Sequence, residues 1–323
     1  MRLAWIDKAK GVGMLLVILG HMHYPHSDVV SKFVFAFHMP LFFFLSGFLH
    51  KNNFGKEYVL RRIDALLVPY LIWSVVIWGV NSSWGRQSMG EFWDIPLGNG
   101  YGITWFLSCL FIVDVAGAYM VHRFGKCVTY MIVVGCGCAL LGYLHMIPVV
   151  KCFNSALIAI GFWLMGWCSF KYKLLEIAIK HFKWLVPLML ATGMMYLFNS
   201  KVDMRVGSLG NPLIACPVAL SWIMLLLLSV RFLGKQFLIL DFIGCNSLLF
   251  MVIHWICPTI VIAALSTLGI DVASVGGVFK AMIRALNLVF LFALVIMLSK
   301  VSFLSGRFRL FSSRRNGSSG ESQ

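Results

Sequence analysis

Apolar stretches of roughly 17 to 25 residues recur along the whole chain with only short polar breaks between them, the length a helix needs to cross a bilayer core. The pattern predicts spans from Ile6 to Tyr24, Phe33 to Leu49, Leu66 to Ser82, Ile103 to Val121, Val128 to Ile147, Phe153 to Phe170, Trp184 to Asn199, Pro212 to Val230, Phe242 to Leu265 and Ile283 to Leu304. These segments predict an all-α, polytopic integral membrane protein with about ten transmembrane helices. An even number of crossings leaves both termini on one side. Residues 1–304 form a single transmembrane domain in this reading, and the polar, basic, Ser- and Gly-rich segment 305–323 is expected to be a disordered cytoplasmic tail.

Composition makes the bilayer the natural solvent. Hydrophobic residues are 60% of the chain and charged ones 12%, against roughly one quarter charged in a soluble domain. Placing both termini in the cytoplasm puts 20 of the 27 Lys and Arg residues on the cytoplasmic side and the other 7 opposite. That excess is what the positive-inside rule requires. The net charge of +15 therefore expresses topology and attraction to anionic membrane lipids. No basic face with interleaved aromatic residues lies outside the spans, which argues against nucleic acid as a partner. The nine cysteines lie mostly within apolar segments and lack zinc-like spacing, so packing is their expected role and no metal is expected.

Ionisable side chains inside spans are costly unless they face a cavity or a partner, so each one marks a potential site. His21 falls late in the first span and His38 early in the second, at similar depth because the chain crosses outward and then returns. The two can meet. His254 is a third intramembrane histidine, while His23 and His26 make the first-span signal less distinctive. Lys10 and His21 are eleven residues apart, which puts them on one helix face about 16 Å apart along the axis. Asp7 and Lys10, at i and i+3, are neighbours that can pair. Met39-Pro40 suggests an irregularity just after His38. Arg61 and Arg62 stand where the chain re-enters the membrane from the cytoplasm, a position suited to phosphates. Each has a plainer alternative: a histidine satisfied by a neighbouring carbonyl, a snorkelling lysine, arginines that only set topology, and tryptophans such as Trp105 that belong to an interfacial belt.

Three motifs occur in order within the first 70 residues. They are Trp5-Ile6-Asp7-Lys8-Ala9-Lys10-Gly11 through Leu19-Gly20-His21, Phe37-His38-Met39-Pro40 through Ser46-Gly47-Phe48, and Leu67-Val68-Pro69-Tyr70. Together they resemble the membrane-bound acyltransferase 3 family, particularly its fucose 4-O-acetylase-like, polysaccharide O-acetyltransferase branch. Thr104-Trp105-Phe106-Leu107 and Gly244-Cys245-Asn246-Ser247-Leu248, with His254, look like later landmarks of the same family. The resemblance implies an enzyme of the bacterial cytoplasmic (inner) membrane that moves an acetyl group from acetyl-CoA to a hydroxyl of a cell-surface glycan or lipid-linked sugar.

In that family the signature pair matches Lys10 and His21, and a basic pair before the third helix matches Arg61 and Arg62. A further basic residue of the family's pattern corresponds here to Asp64 or Ala65. The resemblance thus implies His21 as the base, His38 orienting it or stabilising the oxyanion, and Lys10, Arg61 and Arg62 holding the CoA. Trp105, Ser46, His254 and Asp7 are expected to bind substrate, with Ser46 or Trp105 shaping the cavity. The competing class is a transporter or flippase for a lipid-linked sugar or small solute, in which the same charges line a pathway.

Overall fold

The computed structural model describes residues 4–22, 27–83, 89–100, 102–144, 151–233, 237–272 and 274–311. His23, His26, Trp84, Arg2, Arg86, Lys235, Arg314 and Arg315 lie outside the described residues. The protein is an all-α polytopic membrane protein, because a chain in hydrocarbon must satisfy its backbone within each segment and a helix does so locally. The helices are α1 (Ala4–His21), α2 (Ser27–Phe35), α3 (His38–Phe48), α4 (Lys56–Arg62), α5 (Val68–Ser82), α6 (Met89–Phe92), α7 (Trp105–Phe124) and α8 (Val128–Tyr143). They continue as α9 (Lys151–Lys171), α10 (Leu174–Lys180), α11 (Phe182–Met194), α12 (Pro212–Arg231), α13 (Leu238–Cys245), α14 (Ser247–Thr267) and α15 (Gly277–Leu298).

Among the described residues, seven helical segments are long and apolar enough to cross a membrane. The shorter apolar helices α8 and α11 lie where two more of the ten spans were expected, and α1, which carries Asp7, Lys8 and Lys10, lies where the first was. Three spans are interrupted. The second breaks at Ala36-Phe37, where Phe37 leaves helical geometry (φ −145°), so that His38 opens α3. This corrects the expected position of the irregularity: Pro40 lies in the first turn of α3, where its missing N–H removes no helical hydrogen bond. The third span carries a π-helical turn, Ile63–Leu67, between α4 and α5, and the ninth breaks at Asn246 between α13 and α14.

Two close crossings fix the bundle. A Cβ on Gly11 would strike the Leu240 carbonyl and one on Gly244 the Asp7 carbonyl, so α1 and α13 touch backbone to backbone. Gly47 and Gly166 do the same for α3 and α9, against Trp163 and Phe44. Small residues let helices approach where lipid offers no hydrophobic drive to bring them together. Beside the first crossing, Lys8 is held by Asp241 of α13 at 2.8 and 2.9 Å and is buried. That pair lets a lysine sit inside the packing of α1, and it was not foreseen from sequence.

The first residues of the polar tail lie against the bundle. Trp73 Nε1 donates to the Leu304 carbonyl at 3.0 Å, and Arg307 donates to the Cys245 carbonyl (3.1 Å) and Asn246 Oδ1 (2.9 Å), capping the break between α13 and α14. Asp64 in the π-turn accepts from the backbone N–H groups of Leu310 and Phe311 at 3.1 and 3.0 Å. Residues 312–323 are outside the described region.

Replacing Gly166 by leucine drives a branched side chain into the Phe44 backbone. Overpacking of this kind costs about 1 to 3 kcal/mol or more. Thermal unfolding in detergent is expected at a clearly lower temperature than for the wild type, with Gly166→Ala intermediate.

Candidate active site

His21 ends α1, His38 begins α3 and His254 lies within α14. The three rings converge: the His21 centroid is 6.2 Å from His38 and 5.5 Å from His254, each edge to face. Phe35 and Trp255 flank the His21 ring at 5.2 and 5.9 Å. In all three residues Nδ1 contacts the carbonyl four residues earlier, of Val17 (2.8 Å), Val34 (2.9 Å) and Phe250 (3.0 Å). A carbonyl can only accept, so Nδ1 carries the proton and Nε2 carries the lone pair. Each neutral ring is thus presented as a base through Nε2. His254 Nε2 is buried without a hydrogen-bond partner.

His21 borders two cavities. One, of about 270 Å³, is lined by His21, His38, Trp105, Lys201, Arg205 and Trp255 among others. The other, of about 590 Å³, lies between α1, α14 and α15 and includes His254. The first is bordered by residues of two loops. In the loop before α7, Tyr70 donates to the Ile95 carbonyl (2.7 Å) and accepts from Gly100 N–H (3.1 Å), and Ser74 donates to Thr104 (2.9 Å). These bonds, centred on the Pro-Tyr motif, deliver Gly102 and Trp105 to the cavity. In the loop before α12, Asn199 bonds the Leu209 carbonyl and the Asn211 N–H. Ser155 donates to the Arg205 carbonyl at 3.3 Å, which places Lys201 and Arg205 over the histidines. Those two cations counted in the sequence only toward loop charge.

A third cavity, of about 200 Å³, lies deeper toward the start of α1 and is lined by Lys10, Ser46, Arg62 and Asp114 among others. Asp114, fully buried in α7, accepts from Ser46 Oγ and from Trp163 Nε1 (2.8 Å) and pairs with Arg62 at 3.3 Å. Tyr58 donates to the Asp114 carbonyl and lies under the Arg62 guanidinium. Breaking such a buried pair by removing one partner typically costs about 3 to 5 kcal/mol. Asp114 escaped the sequence reading, although a lone carboxylate in the middle of an apolar span is the signal that should have found it.

The expected site residues therefore separate into two groups. His21, His38 and Trp105 share the outer cavity, and His254 stands on the other side of the His21 ring. Lys10, Ser46 and Arg62 share the inner one. Ser46 lies beside Arg62 and Asp114 in the inner cavity, apart from Trp105 and His254. Arg61 is half-exposed and does not line the inner cavity, and Asp7, 9% exposed, lines none of these three. Lys10 and His21 do share the face of α1 that carries Met14 and Ile18. The inner cavity shares no lining residue with either of the others, but Met14 and Met251 lie within one helical turn of Ile18 and His254 of the 590 Å³ cavity, and Phe106 adjoins Trp105 of the outer one. Among the described residues no group of His, Cys, Asp and Glu is placed to hold a metal ion.

The bundle thus encloses histidines at one depth and a cationic cavity at another, and such intramembrane ionisable groups mark a candidate functional site. The family comparison is specific: residues 3–304 match the acyltransferase domain family Acyl_transf_3, and the chain belongs to that family. A stretch of 90 residues is 34% identical to the nodulation protein NolL of Mesorhizobium japonicum, covering 24% of this chain and 24% of that protein. No solved structure matches the chain.

Just past the C-terminal end of α3, His50 is buried against Trp163 and Tyr58 with neither ring nitrogen hydrogen-bonded. Burial first, and then the nearby Arg62 guanidinium, lower its pKa from 6.5 to about 4, with Asp114 opposing. The unfolded chain takes up a proton below about 6.5 that the folded chain excludes, so this contribution is complete above that pH and is lost as pH falls toward 4. Melting temperature is expected to drop across this window, and His50→Phe to drop less.

Proposed function

We propose that this acyltransferase moves an acetyl group from cytoplasmic acetyl-CoA to a hydroxyl of a cell-surface glycan or lipid-linked sugar, working in the bacterial inner membrane with both termini in the cytoplasm. The observation that carries the reading is the His21 ring: its tautomer is set by Val17, it borders two cavities, and it shares a helix face with Lys10 in a third. Nε2 of His21 accepts the proton of the acceptor hydroxyl as that oxygen attacks the thioester carbonyl. The C–S bond then breaks and the imidazolium returns the proton to the CoA sulfur. This acid-base contribution is worth about 10² to 10⁴ in rate.

Lys10 and Arg62 supply positive charge on the donor side, where the Arg62–Asp114–Ser46 network holds the guanidinium in place. With Nδ1–H committed to Val34, a neutral His38 has no proton to give an oxyanion. His38 therefore suits positioning of His21, and the donors around the outer cavity are the Trp105 and Trp255 indoles and the Lys201 and Arg205 cations. The acyl arm reaches His21 by parting Met14, Phe106 and Met251.

His21→Ala is expected to lower acetyl transfer from acetyl-CoA by at least about 100-fold in purified protein, with little change in melting temperature; near-normal turnover would remove His21 from the chemistry. Lys10→Gln is expected to raise KM for acetyl-CoA several-fold while changing the acceptor KM little, as measured in a two-substrate rate matrix. If the reconstituted wild type transfers or hydrolyses no acetyl group with any glycan acceptor, transport of a lipid-linked sugar becomes the better account.

A further inference from the structure

We propose that the outer cavity selects an acceptor sugar bearing a carboxylate, with Lys201 and Arg205 pairing with that anion beside His21. The inference rests on the acyl-transfer reading for the reaction itself, and adds the charge of the acceptor and the residues that recognise it.

Lys201 and Arg205 line the cavity that His21, His38, Trp105 and Trp255 share. Topology does not explain them. In the proposed orientation the loop between α11 and α12 lies opposite the cytoplasm, where only 7 of the 27 Lys and Arg residues fall, and the positive-inside rule depletes cations there. A protein partner does not explain them either: among the described residues neither side chain forms an ion pair or a hydrogen bond. The Lys201 ammonium rests on the Phe35 ring, 4.4 Å from its centroid, and the same ring packs on His21 and His38 at 5.2 and 4.9 Å. That contact leaves N–H donors on the far side of the ammonium for an anion.

The loop that carries both cations is held in one shape. Asp203 and Ser208 exchange two backbone hydrogen bonds (2.8 and 2.9 Å), Val202 and Met204 are buried, and Ser155 of α9 anchors the Arg205 carbonyl. Asp203 also lines the cavity, and its carboxylate accepts from the Arg205 backbone N–H at 3.0 Å, so it is committed to the loop's own turn. Two cations against this one carboxylate leave the described wall, with neutral histidines, a net charge of +1. That excess matches a carboxylate, at −1, better than a phosphate monoester, at about −1.5 to −2. The Arg205 fork suits the planar carboxylate as well.

Size narrows the ligand further. At about 270 Å³ the cavity is close to the lower limit of small-molecule sites, roughly 300 Å³, which suits a single sugar ring. Trp105 and Trp255 offer flat apolar faces to such a ring. In a space of one ring, the carboxylate and the hydroxyl presented to His21 belong to the same sugar, a uronic acid.

The test measures binding without any acyl donor, by saturation-transfer NMR on full-length protein in nanodiscs. Methyl glucuronide and methyl galacturonide are the probes, methyl glucoside and methyl galactoside their neutral counterparts, and glucose 1-phosphate the phosphate control. The wild type is expected to bind at least one uronide about 5- to 30-fold more tightly than its neutral counterpart. The advantage should shrink as salt rises from about 0.05 to about 0.5 M. Lys201→Gln with Arg205→Gln should abolish it, and Lys201→Arg should retain it, with melting temperatures reporting the folding of each variant.

Equal binding of uronides and neutral glycosides by the wild type overturns the proposal, as does a uronide preference that survives in the Gln pair or tighter binding of glucose 1-phosphate. In acetyl transfer the Gln pair is expected to raise KM for a uronide acceptor by about 5- to 30-fold. An equal fall in kcat for charged and neutral acceptors would instead assign the two cations to the oxyanion and also overturn it. Because the binding arm involves no acetyl donor, a protein that prefers the uronide yet transfers nothing keeps the site and loses the enzyme.

Discussion

No water is available in the hydrocarbon core to satisfy a polar group, and that constraint governs how this protein holds its chemistry. Each intramembrane histidine answers it by giving its Nδ1 proton to the carbonyl four residues earlier on its own helix. The bond makes the ring tolerable and, by the same act, leaves Nε2 as the basic atom. Lys8 is tolerated through Asp241, and Asp114 through Ser46, Trp163 and Arg62. What makes a polar residue affordable in the membrane also defines which atom of it can act.

Backbone contact then turns these local solutions into a site. The Gly11 and Gly244 crossing locks α1 to α13, whose continuation α14 carries His254 beside His21. The Gly47 and Gly166 crossing locks α3, with His38 at its start, onto α9, which also carries the Trp163 that bonds Asp114. One pair of crossings therefore serves both the histidine cluster and the inner cationic cavity. Met14, Phe106 and Met251 line the inner cavity, Met14 and Met251 near His21 and His254 in sequence, and methionine in particular repacks with little strain.

Family membership rests on nearly the whole chain, whereas identity to NolL covers about a quarter of each protein. The class of reaction belongs to the family.

Hydrophobic periodicity and length alone determined the all-helical membrane fold and its ten segments, because the bilayer imposes one element length on every crossing. Sequence also singled out His21, His38, His254, Lys10 and Arg62, since an ionisable residue in an apolar run is conspicuous in one dimension. Asp114 would have been legible by the same rule. Lys280, Arg284, Lys201 and Arg205 were not, because near a span end a cation reads as topology until its direction is known. Only tertiary structure decided that Ser46 lies beside Asp114, that Asp7 lines none of the three cavities, and that the Lys10–Arg62 and histidine cavities are distinct. Those facts depend on which helix faces meet, and a crossing set by glycine backbones leaves no periodic trace from which the partner can be read.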